Sequence, residues 1–214
     1  VRDAFGLTPK TFRAGRWAFT ERCVKFLMER GYHTDTSVTP FTSWLSEGGV
    51  DYSTYDTHPF YYKQPGTFKK QGKPLLELPA TLGYNYSNVK ISHSVYTTLH
   101  RFPFSKLRCY GILRKVGIFK KIWLSPEKSS FQDMRTLVGC TLKQRSTVLN
   151  MTLHSSSYHI GSPHASTLSA QQKLFVRTKQ ILAYLSSLNI EGTTADQFYR
   201  SLKFTPSMMR ESQH

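Results

Sequence analysis

Five polar side chains stand where an α/β fold places its chemistry. Arg13 and Arg16 follow the short run KTF, Asp35 lies inside YHTDTSV, Thr81 follows LLELP, and His154 ends VLNMTL. An imidazole can hand a proton to a leaving group, a carboxylate can take one, and a guanidinium can hold a carboxylate or a developing oxyanion. Singly, each is weak, since a lone His at a strand end is more often a hydrogen-bonded structural residue and a lone Asp more often a turn or ladder-end residue, so they carry weight only as a set. Further on, HSSSYHIGSPH carries His154, His159 and His164 at intervals of five. That spacing puts them on no common helix face, and the Gly-, Ser- and Pro-containing stretch reads as a loop and not as a metal site.

The elements that must position these residues alternate between helical and strand patterns, which predicts a mostly parallel sheet with crossover helices. A helix is expected over residues 20–30, capped by Thr20, with Val24, Leu27 and Met28 on one face and Gly31 as the stop. A strand follows at 32–38, then an irregular stretch over 39–74 with six Tyr or Phe between Tyr52 and Phe68. LLELP over 75–79 reads as the next strand, followed by a loop and a basic helix over 106–116. KKIWLSP over 120–126 reads as a strand, 131–144 as a helix, and VLNMTLHSSS from Val148 as a buried strand running into a polar turn. The longest helix covers 169–188, opened by Ser169 and Gln172 as a capping box, and a short last helix covers 195–202. About five parallel strands, near Thr11, Tyr32, Leu75, Lys121 and Val148, are therefore expected to bring Arg13, Asp35 and His154 to one face, the carboxyl-end face on which α/β barrels build active sites.

Composition bounds the classes. With 214 residues, 39% of them hydrophobic, the chain can bury one core, and no apolar run approaches the roughly 20 residues of a membrane span. Cys23, Cys109 and Cys140 stand far apart, each in a helical segment, so buried free thiols are expected and a reducing, cytoplasmic setting is favoured. The chain opens on Val1 with no basic-then-apolar leader, and residues upstream of it are expected. The 29 Lys and Arg against 13 Asp and Glu give a net charge of +16, suited to an anionic polymer or surface, although no dense block forms. No helix-turn-helix, zinc-finger or RNA-recognition signature accompanies the charge, which disfavours nucleic acid as the partner.

FRAGRW over 12–17, ERGYHTDTSVTPFTSW over 29–44, LLELPAT over 75–81 and LNMTLHSSS over 149–157 together resemble the polysaccharide deacetylases of the NodB homology superfamily, especially the WalW-type branch. The resemblance runs from about Phe5 to Leu188. It implies an α/β fold, a partial (β/α) barrel of the glycoside hydrolase/deacetylase type, with residues 1–190 as its C-terminal two-thirds and 191–214 as a short helix and frayed tail. By position, Arg13 matches the arginine that braces the catalytic base, with Arg16 and Trp17 beside the oxyanion position. Asp35 and Trp44 approximate the next motif. Leu153 and His154 match the last motif, whose histidine is the general acid. His154, Arg13 and Asp35 are thus the catalytic expectations, and Arg16, Trp17, Trp44 and Leu153 the substrate-binding ones.

The family's Asp-Asp and His-x-x-x-His motifs, which supply the general base and hold a divalent metal such as zinc, do not precede FRAGRW. The expectation is therefore a hydrolase of N-acyl groups on amino sugars in a surface glycan, incomplete in this chain, with no metal held by the chain alone. In that expectation the aromatic stretch stacks on sugar rings. The alternative from a different class is a non-catalytic module for an anionic polymer, acidic glycan or nucleic acid, using the same basic and aromatic residues.

Overall fold

A computed structural model describes residues 2–62, 74–146, 148–203 and 208–210. The chain divides into two compact units, Val1–Ala80 with Gly192–His214, and Thr81–Glu191. The short helix that the sequence sets apart after residue 190 thus belongs to the first unit.

The first unit is built on an open five-stranded sheet. After a single turn of helix, α1 (Arg2–Phe5), come β1 (Thr11–Phe12), α2 (Glu21–Glu29), β2 (Thr34–Asp35), β3 (Phe60–Tyr62) and β4 (Leu76–Glu77). β1, β2 and β4 run parallel as expected, with Thr34 beside Leu76 and Asp35 beside Glu77 in register. β3 inserts antiparallel to β4 at its other edge and pairs in parallel with β7 (Met209–Arg210), giving the order β1-β2-β4-β3-β7. Among the described residues this sheet is mostly parallel and is not closed into a barrel.

α2 follows its pattern: Val24 and Leu27 are buried against Phe19, Val38, Phe60 and Leu75, and Gly31 ends the helix at φ 75°. Thr20 precedes it but makes no capping bond to its backbone. The aromatic stretch is a correction. Tyr52, Tyr55, Phe60, Tyr61 and Tyr62 are buried instead of forming a platform for sugar rings, Tyr61 in the cluster with Tyr199 and the other four in the core with Val24 and Leu27; Phe68 lies outside the described residues. Large, rigid rings share this interior with Val24, Leu27, Val38, Leu75, Leu76 and Leu78. α7 (Ala195–Ser201) is opened by a full capping box, Thr194 with Gln197, and buries Tyr199 against Tyr61, Leu76 and Leu78.

In the second unit β5 (Leu82–Tyr84) pairs with β6 (Lys121–Trp123) in antiparallel register, Gly83 opposite Ile122. The strand expected at Lys121 is therefore present but not parallel. α3 (Val89–Leu99) and α4 (Cys109–Lys115) lie between the two strands in sequence, and α5 (Phe131–Lys143) packs Met134, Leu137 and Val138 onto Ile122 and Leu124. A Cβ on Gly83 would meet Leu137 Cδ1 at 2.9 Å, so a larger residue there would have to displace the Leu137 side chain of α5. α6 (Leu168–Ser187) adds Ile181 to this core; its cap is Thr167, whose side chain accepts from the Ala170 N–H, and not Ser169. Residues 148–154 form no strand. They run extended beside Thr81 and Leu124, with the Thr81 N–H on the Asn150 carbonyl at 3.0 Å and the Thr152 N–H on Leu124 at 3.0 Å. The three cysteines are free and half-buried, and no helix among the described residues is long and apolar enough to cross a membrane.

Candidate functional site

The expected residues fall into two groups, one in each unit. In the first, register does the positioning: pairing Asp35 with Glu77 across β2 and β4 sets two carboxyl groups side by side, both fully buried. Asp35 Oδ1 accepts from the Ser37 hydroxyl at 2.7 Å and Oδ2 from the Ser37 N–H at 3.1 Å. Glu77 Oε1 accepts from the Val38 N–H and Oε2 from the Tyr62 hydroxyl, each at 3.0 Å. Burial raises both carboxyls, and the charge of Asp35 and a hydrogen bond to it push Glu77 well above the usual range. The pair thus favours holding one proton between the two carboxyls, with Glu77 the more strongly raised. The remaining negative charge is offset by Arg13. Burial lowers its guanidinium's pKa while the attraction of Asp35 and Glu77 opposes the shift, and Nε donates to Thr36 Oγ1 at 2.9 Å.

Arg13 itself is solvent-exposed as a residue, and its guanidinium lies over the Trp17 ring at 5.4 Å. Arg16 and Trp17 both take positive φ, 52° and 60°, a left-handed pair of non-glycine residues that costs on the order of 1–3 kcal/mol each. The Trp17 carbonyl is held by the Tyr52 hydroxyl at 2.6 Å. Arg16 is exposed. Trp44 is half-buried, its indole N–H on Thr39 Oγ1 at 2.8 Å. Arg13, Trp17 and Asp35 thus belong to one network, in which Asp35 has no exposed surface and acts on Arg13 and the chain after β1 rather than on a bound molecule.

In the second unit, His154 follows the half-buried Leu153 and is 65% exposed, while the side chain of Glu127 beside it is only 2% exposed. Glu127 Oε1 accepts from the His154 N–H at 2.6 Å and Oε2 lies 3.0 Å from His154 Nδ1. Burial pushes the Glu127 carboxyl up, but hydrogen bonds from Ser157 and from the His154 backbone and ring outweigh it and leave the group below its ordinary value. An ionised carboxylate can only accept, so Nδ1 carries the hydrogen and Nε2 is directed away from Glu127. Thr81 serves structure: it is buried, and its Oγ1 accepts from the Asn150 N–H at 2.8 Å.

Among the described residues, Glu127, His154 and His164 are a set whose ligand atoms lie within 4.8 Å of one another, and two imidazoles with a carboxylate suit a divalent first-row metal. The spacing of the three histidines did not show this, because the fold brings His154 and His164 into near-parallel stacking at 6.2 Å and leaves His159 out. Glu127, the residue sequence reasoning missed, lies 27 positions before His154; its only sequence signal is its place at the end of the KKIWLSP strand. The set competes poorly for metal, since the Glu127 oxygens are already taken by Ser157 and by the His154 N–H and ring, and His164 Nε2 stands 4.0 Å away. Nor do Asp35 and Glu77 fit a metal, being buried, saturated with hydrogen bonds and sharing a proton. Elemental analysis after dialysis is expected to find well under one equivalent of zinc; stoichiometric zinc would assign this set to a metal.

Neither a family model, nor a curated protein, nor a solved structure matches the chain.

Proposed function

We propose that the chain carries the proton-donating and arginine-bracing part of a polysaccharide-deacetylase-like hydrolase that removes N-acyl groups from amino sugars. The single observation that supports this reading most strongly is the exposed His154 imidazole held at Nδ1 by the buried, ionised carboxylate of Glu127. Such a pair fixes the ring through Nδ1–H, so that Nε2 faces outward, where in the protonated ring it is a donor. When the tetrahedral adduct of an amide collapses, the C–N bond breaks and the nitrogen leaves as a neutral amine only if it gains a proton. Nε2 of His154 supplies that proton, and Glu127 holds the ring in place while it does so. Within the first unit, Asp35 with Glu77 positions Arg13, which the resemblance matches to the arginine that braces the catalytic base. The partial-barrel reading of the fold belongs here too, supported by the parallel β1, β2 and β4 with polar groups at their ends.

The residues present do not supply the metal ligands of the deacetylases the sequence resembles, so no step is routed through a metal. The reading is tested by acetate release from N-acetylated amino-sugar oligomers and peptidoglycan, assayed with the 214-residue chain and with the polypeptide as its gene encodes it, with zinc added. Release by the encoded polypeptide is expected; no release from either substrate class by either form would overturn the reading.

A further inference from the structure

Between Glu77 and Glu127 the chain has no acidic residue and eight Lys or Arg. The second unit presents the middle of this stretch, residues 101–118, almost entirely to solvent. What faces water there is not only charge: Phe102, Leu107, Ile112, Val116 and Ile118 are between 56 and 74% exposed. Ile112 and Val116, four apart and spanning the end of α4, lie on one stripe. Single exposed apolar residues are ordinary, but five in one short segment among cations mark a contact surface.

The segment is presented on a firm base. Tyr110 packs edge-on against Tyr96 at 5.1 Å and Phe119, buried, stacks on Tyr84 at 5.4 Å. The Ile118 carbonyl accepts from the Tyr86 hydroxyl at 2.8 Å and the Asn85 amide at 2.9 Å. The apolar side chains therefore stay outward because the inner side of the segment is already filled.

We infer that residues 101–118 dock this protein onto the surface of an anionic lipid bilayer. Arg101, Lys106, Arg108, Arg114 and Lys115 are exposed around the apolar side chains, and with no carboxylate in the stretch to repel a headgroup the electrostatics complement anionic lipid. A soluble polyanion would use the cations but has nothing to offer Leu107, Ile112, Val116 or Ile118. An interface, where apolar groups enter the acyl boundary while Lys and Arg stay at headgroup level, uses both. This inference does not depend on the hydrolase reading, and its test has no catalytic readout.

The test is co-sedimentation of the 214-residue protein with vesicles of phosphatidylcholine alone or mixed with phosphatidylserine, beside binding to heparin. At least about tenfold stronger binding to the mixed vesicles is expected, weakening as salt rises. Phe102→Ser with Ile112→Ser, both at exposed positions, should lower vesicle binding at least about tenfold and leave heparin binding unchanged. On the unaltered protein, amide hydrogen exchange over 101–118 should slow with mixed vesicles and not with heparin, which keeps the test valid if the double variant folds poorly. Equal binding to neutral and mixed vesicles, or no protection of 101–118, would overturn the inference. Vesicle and heparin binding falling together in the double variant would do the same, and would assign the surface to a soluble polyanion.

Discussion

Replacing Glu77 with Ala is expected to lower the unfolding free energy by about 2–6 kcal/mol, because two buried donors lose their acceptor. The change leaves the Val38 N–H and the Tyr62 hydroxyl, both inside the first unit, without their acceptor, and each such buried donor costs about 1–3 kcal/mol. Asp35 also loses its proton donor. Glu77→Gln should cost no more than about 1 kcal/mol, because an amide oxygen can accept from Val38 and an amide N–H can donate to Asp35. Urea unfolding of both variants checks the pair; a Glu77→Ala loss below about 1 kcal/mol would mean the network is not as described.

The same pair sets a pH dependence whose sign follows from the direction of its shifts. Both carboxyls are raised in the folded chain, so the folded state holds protons more tightly than the unfolded one. Their contribution is full below the ordinary carboxylate range and is lost as pH rises above it. Above the ordinary carboxylate range, the wild-type thermal midpoint should therefore fall more steeply with pH than that of Glu77→Gln, which has no proton to lose. Parallel profiles would show that Glu77 does not hold its proton in the folded state.

Much of this architecture is legible in the sequence wherever a local pattern decides it. The 3.6-residue spacing of Val24 and Leu27, and of Met134, Leu137 and Val138, marks α2 and α5, and the runs around Thr11, Tyr32 and Leu75 mark three parallel strands. α3 is hidden because VKISHSVYTTL is rich in β-branched residues that favour helix poorly; Asn88, whose side chain accepts from the Ile91 N–H, starts it all the same. β3 is hidden in the aromatic stretch, where buried rings read as a loop. The direction of β6 and the absence of a strand at 148 are set by pairing partners far away in sequence, which periodicity does not encode.

The site divides along the same line. Arg13, Asp35 and His154 are visible as polar residues at strand ends, but the partners that define their chemistry are not. Glu77 is visible only as a lone acid inside an apolar run, and its meaning appears once register sets it beside Asp35. Glu127 reaches His154 because residues 150–152 are held beside Thr81 and Leu124, and His164 reaches it through the turn at Ser155–Tyr158 and the bend at Gly161, whose φ of 94° a glycine adopts without strain.

If His154 is the proton donor, His154→Ala in the active polypeptide should lower kcat by roughly 10²- to 10⁴-fold, the worth of a positioned general acid. That equals about 3–5 kcal/mol of transition-state stabilisation. Substrates whose leaving nitrogen needs less protonation should lose less. The fold should lose little, because the imidazole is mostly exposed and Glu127 keeps its bonds from the His154 N–H and from Ser157. A purely structural His154 would give the opposite pattern, a stability loss of about 1–3 kcal/mol with turnover intact.

The measurement that bears most directly on the proposed function is therefore acetate release and thermal midpoint on the same His154→Ala protein, beside the unaltered one. The account predicts a loss of turnover of at least about a hundredfold with the midpoint nearly unmoved. A lowered midpoint with normal turnover would contradict it and take His154 out of the chemistry.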